Sequence, residues 1–233
     1  TYLAALNPIR TQVMTERELF KAACCNLSES FETNPSVDVS YNDAVTGSKQ
    51  IQLLGLSGNY TQLTVENLPG PRGISTPLGL NSIAGPWVES IQLNKGVGSV
   101  GNGFESIAGQ INIELKKPEK AERLYANGYI NNMGKADLNL NLAKKFGKRW
   151  STALLLHDDF LNNNIDFNDD RFRDLPTANQ FSAVNRWKYE DEKGVIAQFG
   201  VKFLADSKTG GEIEFNPDDD KYSTDHYGLG INT

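Results

Sequence analysis

Cys24 and Cys25 are the only cysteines in this 233-residue chain, and they are adjacent. Vicinal thiolates are soft donors suited to Cu(I) or another thiophilic ion, and Met14 offers a further sulfur. Two cysteines do not complete a tetrahedral site. On a helix, successive side chains point about 100° apart, so both sulfurs reach one ion only if the helix ends or bends at Asn26. The competing reading is packing: Cys often serves as a small hydrophobe, here with Cys24 alongside Phe20. His157 and His226 stand isolated in the sequence. Asp158-Asp159, the run from Asp166 to Asp174, and Asp218-Asp219-Asp220 offer hard oxygens to a cation such as Ca²⁺. They lack EF-hand spacing, so solvated loops account for them. No nucleophile elbow and no H-E-x-x-H occurs. The expectation is a protein that is not an enzyme and has no resident cofactor, with Cys24 and Cys25 as candidate ligands for a soft metal such as copper carried as substrate.

The glycines from Gly96 to Gly109 admit two chemistries. Gly96-Val97-Gly98-Ser99-Val100-Gly101 is formally G-x-G-x-x-G after a strand, the pattern that cradles a pyrophosphate. That use needs a helix directly after the glycines. The next residues, Asn102 to Gly109, leave no room for a crossover helix before another strand begins. Thr46-Gly47-Ser48-Lys49 likewise lacks P-loop spacing. The glycines therefore read as a tight turn region between two strands. The first carries Val88, Ser90, Gln92 and Asn94 on one side and Glu89, Ile91, Leu93 and Lys95 on the other. The second places Ile111, Ile113 and Leu115 on one face. Gly96, Gly101 and Gly109 are expected at positive φ or at close backbone approaches.

This stretch resembles the segment that ends the plug domain of TonB-dependent outer-membrane receptors. The matching residues are Val88, Glu89, Ile91, Lys95, Gly96, Ser99, Ala108, Gly109, Ile111, Asn112, Ile113 and Lys116. Upstream, Leu27 to Val37, Ile51-Gln52-Leu53-Leu54-Gly55 and Thr64-Val65-Glu66-Asn67-Leu68-Pro69 are similar to further plug motifs. Leu54 stands where the family usually has arginine, and Glu66-Asn67 where it usually has Asp-Gly. The resemblance covers about residues 10–118.

The elements around these motifs are readable from pattern. Thr15 caps a helix start, Glu18 completes a capping box, and Met14 with Leu19 forms a hydrophobic staple. A second start at Asn26 ends before Asn34-Pro35. Short strands follow near Val37–Tyr41, Gln50–Leu54 and Tyr60–Val65. After Pro118 the texture changes to long alternating segments: Leu124–Asn131, Ala136–Phe146, Trp150–Asp158, Phe181–Glu190, Val195–Leu204 and Tyr222–Asn232. Dyad alternation over about ten residues is the mark of a transmembrane β-strand, although a soluble sandwich alternates too. Gly147-Lys148 and Asp191 to Gly194 are short connections; Leu161–Asn179 and Asp206–Lys221 are long and acidic. Tyr125, Trp150, Trp187 and Tyr189 near strand ends suit an interfacial girdle.

Bulk composition narrows the classes. Net charge is −6 and the sequence pI is near 5.0. An acidic chain without a basic cluster argues against nucleic acid. No apolar run approaches the ~18 residues of a membrane helix, and no signal peptide opens the chain. The expected fold is an α+β plug domain, residues 1–118, followed by antiparallel strands of a transmembrane β-barrel, residues 119–233. Six strands cannot enclose a plug, and the family barrel has about 22 strands, so the chain is expected to be a fragment of that barrel. The resemblance implies TonB-dependent transport of a scarce solute across the cell outer membrane, the plug gating the barrel. The implied partners are the inner-membrane TonB complex, outer-membrane lipids, an unknown small solute and envelope proteins. The alternative is a non-transporting barrel or β-rich structural subunit of a cell-envelope assembly.

Overall fold

The computed structural model describes residues 2–3, 11–19, 31, 37–41, 49–72, 79, 81–98, 101, 103–220 and 222–233. The described residues form two compact units, one running to Lys116 and the other from Lys117 to Thr233.

The first unit is built on a mixed sheet. Its strands are β1 (Tyr2–Leu3), β2 (Thr11–Thr15), β6 (Thr61–Val65), β7 (Leu68–Pro69), β8 (Val88–Lys95) and β9 (Gly109–Leu115). The spatial order is β1-β2-β8-β9-β6-β7. Among the described strands only β6 and β9 run parallel, with Leu63 opposite Ile111 and Val65 opposite Ile113. A second, three-stranded sheet joins β3 (Val37–Tyr41), β4 (Lys49–Leu53) and β5 (Leu56–Ser57). Period-two alternation sorts the larger sheet into two faces. Met14, Leu63, Ile91, Leu93, Ile111 and Ile113 share the apolar one and are all buried. Each such side chain contributes about 1.5–3 kcal/mol of burial.

Strand β2 was not foreseen, because the segment before Thr15 reads as the approach to a helix. The capping box is present: the short helix α1 (Glu16–Leu19) follows, and the Thr15 N–H donates to Glu18 Oε2 at 3.2 Å. Met14 and Leu19 are both buried, as a staple requires. The second helix start at Asn26 lies outside the described residues. Strict alternation also fails at the start of β8. A bulge between Val88 and Ser90 turns Val88 onto Leu115, and Val88 is buried with the apolar face rather than lying beside Gln92.

The second unit is an antiparallel meander. Strands β10 (Leu124–Ile130), β11 (Ala136–Phe146), β12 (Trp150–Leu161), β13 (Thr177–Glu190), β14 (Ile196–Gly211) and β15 (Gly228–Asn232) follow one another in space as in sequence. The central four have 11, 12, 14 and 16 residues, enough to cross a bilayer when tilted. Residues 147–149 and 191–195 make tight connections at one end of the sheet. The connections 162–176 and 212–227 are long and lie at the other end.

Candidate functional site

Among the glycines singled out from sequence, Gly96 has φ +89° and Gly103 +131°. Gly109 instead sits where a Cβ would fall 2.3 Å from the Asn94 carbonyl oxygen and 2.4 Å from Leu53 Cδ2. The Gly96 N–H donates to the Ala108 carbonyl at 2.8 Å, and the Gly98 N–H to Ser106 Oγ at 3.0 Å. These amides close the loop on itself instead of converging on an open phosphate cradle. Among the described residues no crossover helix follows; β9 begins at Gly109. The turn reading holds and the dinucleotide reading fails.

The departures from the usual plug motifs have a geometric basis. Leu54-Gly55 is the two-residue turn between β4 and β5, and both residues have positive φ, +57° and +76°. Glu66-Asn67 forms the corresponding turn between β6 and β7, at +54° and +61°. Primed turns of this kind match strand twist but favour Gly or Asn. Glu66 adds a function there: its Oε1 accepts from the Leu115 N–H at 3.2 Å. The Asn67 N–H donates to Asn112 Oδ1 at 2.8 Å. Asn112 thus anchors a polar ladder on the sheet face opposite the apolar one. It accepts from Thr64 Oγ1 at 2.9 Å and donates to Glu114 Oε1 at 2.9 Å. Gln110 and Gln62 continue the ladder and are buried.

In the second unit, register converts alternation into two faces of opposite character. Leu140 lies opposite Leu156, which lies opposite Ala183, which lies opposite Phe203. Leu138, Leu142, Phe181, Phe199, Val201 and Phe203 on this side are exposed. The other side carries buried polar groups: Asp137, Asn139, Asn141, His157, Gln180, Ser182 and Arg186. A sheet with exposed Leu, Val and Phe on one face and buried polar side chains on the other is inverted relative to a water-soluble one. His157, isolated in sequence, is not isolated in space. Its Nδ1 lies 2.9 Å from Asn139 Oδ1 and 3.8 Å from Asp137 Oδ2. His226 Nδ1 likewise lies 3.4 Å from Glu212 Oε2.

The long connections are exposed and internally bonded. Asp166 accepts from the N–H groups of Asp170 and Arg171, and Asp170 from that of Phe172. Two arginines tie the loops together. Arg171 pairs with Glu214, while Arg173 donates to the carbonyls of Glu212 and Ile213. The hydrogen bond from Arg171 holds Glu214 below the usual carboxylate range and raises Arg171, whereas burial lowers Arg173. At the opposite end, burial raises Glu119, but the Lys188 ammonium at 2.8 Å outweighs it and leaves Glu119 below its ordinary value. Among the described residues no three His, Cys, Asp or Glu side chains are grouped to hold a metal ion. Cys24 and Cys25 lie outside the described residues. Contrary to the expectation of a chain without a basic cluster, Lys144, Lys145, Lys148 and Arg149 form one in a single hairpin, hidden by the net acidity of the chain.

Residues 5–110 match the model of the TonB-dependent Receptor Plug Domain. This chain carries a TonB-dependent receptor plug domain. The strands after the plug share the fold of the barrels in solved receptors of that kind. The ferric yersiniabactin uptake receptor FyuA from Yersinia pestis superposes with a TM-score of 0.70 at 18% identity, over 90% of this chain and 33% of that one. The siderophore receptor PiuA from Acinetobacter baumannii gives 0.68 at 13% identity, over 87% and 27%. The copper transporter OprC gives 0.66 at 13% identity, over 90% and 34%. The chain thus spans about a third of the length of these receptors. No curated protein sequence matches it.

Proposed function

We propose that the protein takes up a scarce solute across the outer membrane, with residues 1–118 as the plug that gates the passage and residues 119–233 as barrel strands. The observation that carries this reading is the pairing, in one chain, of a plug domain with a following sheet whose exposed face is apolar and whose buried face is polar. A lipid-facing surface of Leu, Val and Phe spans the bilayer, and the central strands β12 and β13 are paired to a neighbour on both sides along nearly their whole length. Energy reaches the plug from the inner-membrane TonB complex, the partner that membership of the receptor family implies. The solute is a metal, a metal chelate or another nutrient. Deleting the gene should lower cell-associated metal or growth under metal limitation, with no further loss when TonB is also removed. Uptake by the protein that persists undiminished without TonB would overturn the proposal.

Copper is the finer assignment, resting on Cys24 and Cys25 as soft donors and on the fold shared with a copper transporter. A Cys24→Ser, Cys25→Ser double variant should lose bound copper in elemental analysis while still entering the membrane. Unchanged metal content, or none in the parent protein, would return both residues to packing.

A further inference from the structure

We propose that the hairpin from Lys144 to Trp150 binds the phosphate of an anionic phospholipid in the leaflet at the tight-turn end of the sheet. The inference rests on the membrane-spanning reading above and adds a lipid class and a place to it.

Four cations, Lys144, Lys145, Lys148 and Arg149, fall within one hairpin, and the chain has no carboxylate between Asp137 and Asp158. Three other lysines of this unit are neutralised from within. Lys188 pairs with Glu119 at 2.8 Å and Glu190 at 2.7 Å, Lys135 with Asp159 at 3.3 Å, and Lys208 with Asp206 at 3.4 Å. Among the described residues, no carboxylate pairs with the four hairpin cations. All four are exposed.

Aromatic rings fix the depth of these charges. Register places Lys144, Phe146, Trp150, Trp187, Tyr189 and Phe199 on the apolar face. Lys144 Nζ lies 5.0 Å from the centre of the Phe146 ring. Phe146 stacks on Trp187 at 5.9 Å, Trp187 on Phe199 at 6.3 Å, and Trp150 meets Tyr189 at 5.0 Å. Such rings settle where acyl chains meet headgroups. A cation beside them is held at the level of the lipid phosphate, where Arg149 has the planar fork for two phosphate oxygens. At the same strand end, a cleft of about 680 Å³ lined by Lys120, Arg123, Lys144 and Lys145, with the single carboxylate of Glu119, extends the cationic rim. The far end of the sheet carries the acidic loops, which repel anionic headgroups, so the preference belongs to one leaflet.

The test uses the intact protein in phosphatidylcholine bilayers and reads tryptophan quenching, since Trp150 and Trp187 flank the hairpin. Brominated phosphatidylglycerol is compared with brominated phosphatidylcholine at the same low mole fraction. Phosphatidylglycerol should be enriched around these rings about fivefold or more, the factor contributed by one well-placed cation. High salt should reduce that enrichment. The selectivity should vanish in a variant with Lys144, Lys145, Lys148 and Arg149 all changed to Gln, and persist when the three lysines become Arg. Unchanged quenching by brominated phosphatidylcholine in the Gln variant certifies that it has inserted. Equal quenching by both lipids, or selectivity retained in the inserted Gln variant, overturns the inference and leaves the membrane reading intact. No quenching by either lipid removes the membrane reading itself, and this inference with it.

Discussion

Gly109 has no room for a side chain, because any Cβ there meets the Asn94 carbonyl and Leu53. Gly109→Val should cost about 3 kcal/mol or more, since backbone rather than a flexible side chain must move. At Gly55 a side chain would be strained only by the φ of +76°, with nothing within 4 Å, so Gly55→Ala should cost about 1–2 kcal/mol. Thermal unfolding of the purified protein in detergent measures both, and equal shifts would refute the packing argument for Gly109. Leu54 bears the opposite penalty, a branched side chain at φ +57° that is 57% exposed. Leu54→Asn should raise stability by about 0.5–1 kcal/mol, and a lowered melting temperature would show that Leu54 makes a contact of its own. The sequence told that the backbone was crowded near these glycines. It did not tell whether φ or a neighbour was responsible, because the neighbours of Gly109 come from β8 and β4.

At the scale of elements, the hairpins set the register and the register sets the faces. Residues 147–149 bridge Phe146 and Trp150, and that pairing alone carries Asn139 to His157 and Leu140 to Leu156. Quenching labels at 140 and 141 should report opposite environments, the first in lipid and the second away from it; a shared environment would mean the strand is out of register. The alternation was readable, but the strands run further than it suggested. β13 begins at Thr177 rather than near Phe181, and β14 continues to Gly211 rather than ending near Leu204. Once a strand leaves lipid both faces turn polar, so periodicity fades while the ladder persists. The loops beyond respond to acid. Glu214 titrates below its ordinary 4.5 because of Arg171. Their tie is therefore complete above that value and is lost as pH falls through the depressed one. The Ile213 N–H, donating to the Arg171 carbonyl at 2.9 Å, should exchange slowly at pH 6 and faster than its intrinsic rate predicts at pH 3. Arg171→Ala should abolish that difference, and an unchanged pH response would assign it to other groups.

For the molecule as a whole, the two units differ in how far their contacts reach along the chain. The barrel strands pair with their sequence neighbours throughout, which is why their order could be read from one sequence. The plug sheet pairs β2 with β8 and β6 with β9. No local pattern announces such partners, and β2 itself went unseen. That difference has a consequence in time. The Thr11 hydroxyl bonds Asn94, 83 positions away, at 2.5 Å, so the start of the plug has only the two-residue β1 to pair with until that stretch has been made. A growing chain halted before Asn94 would present β2 as an open strand edge, the kind of edge that aggregates. Nested truncations ending on either side of β8 should therefore divide sharply in protease resistance and in demand for a chaperone. The barrel hairpins, each complete within a few dozen residues of synthesis, need no such waiting period.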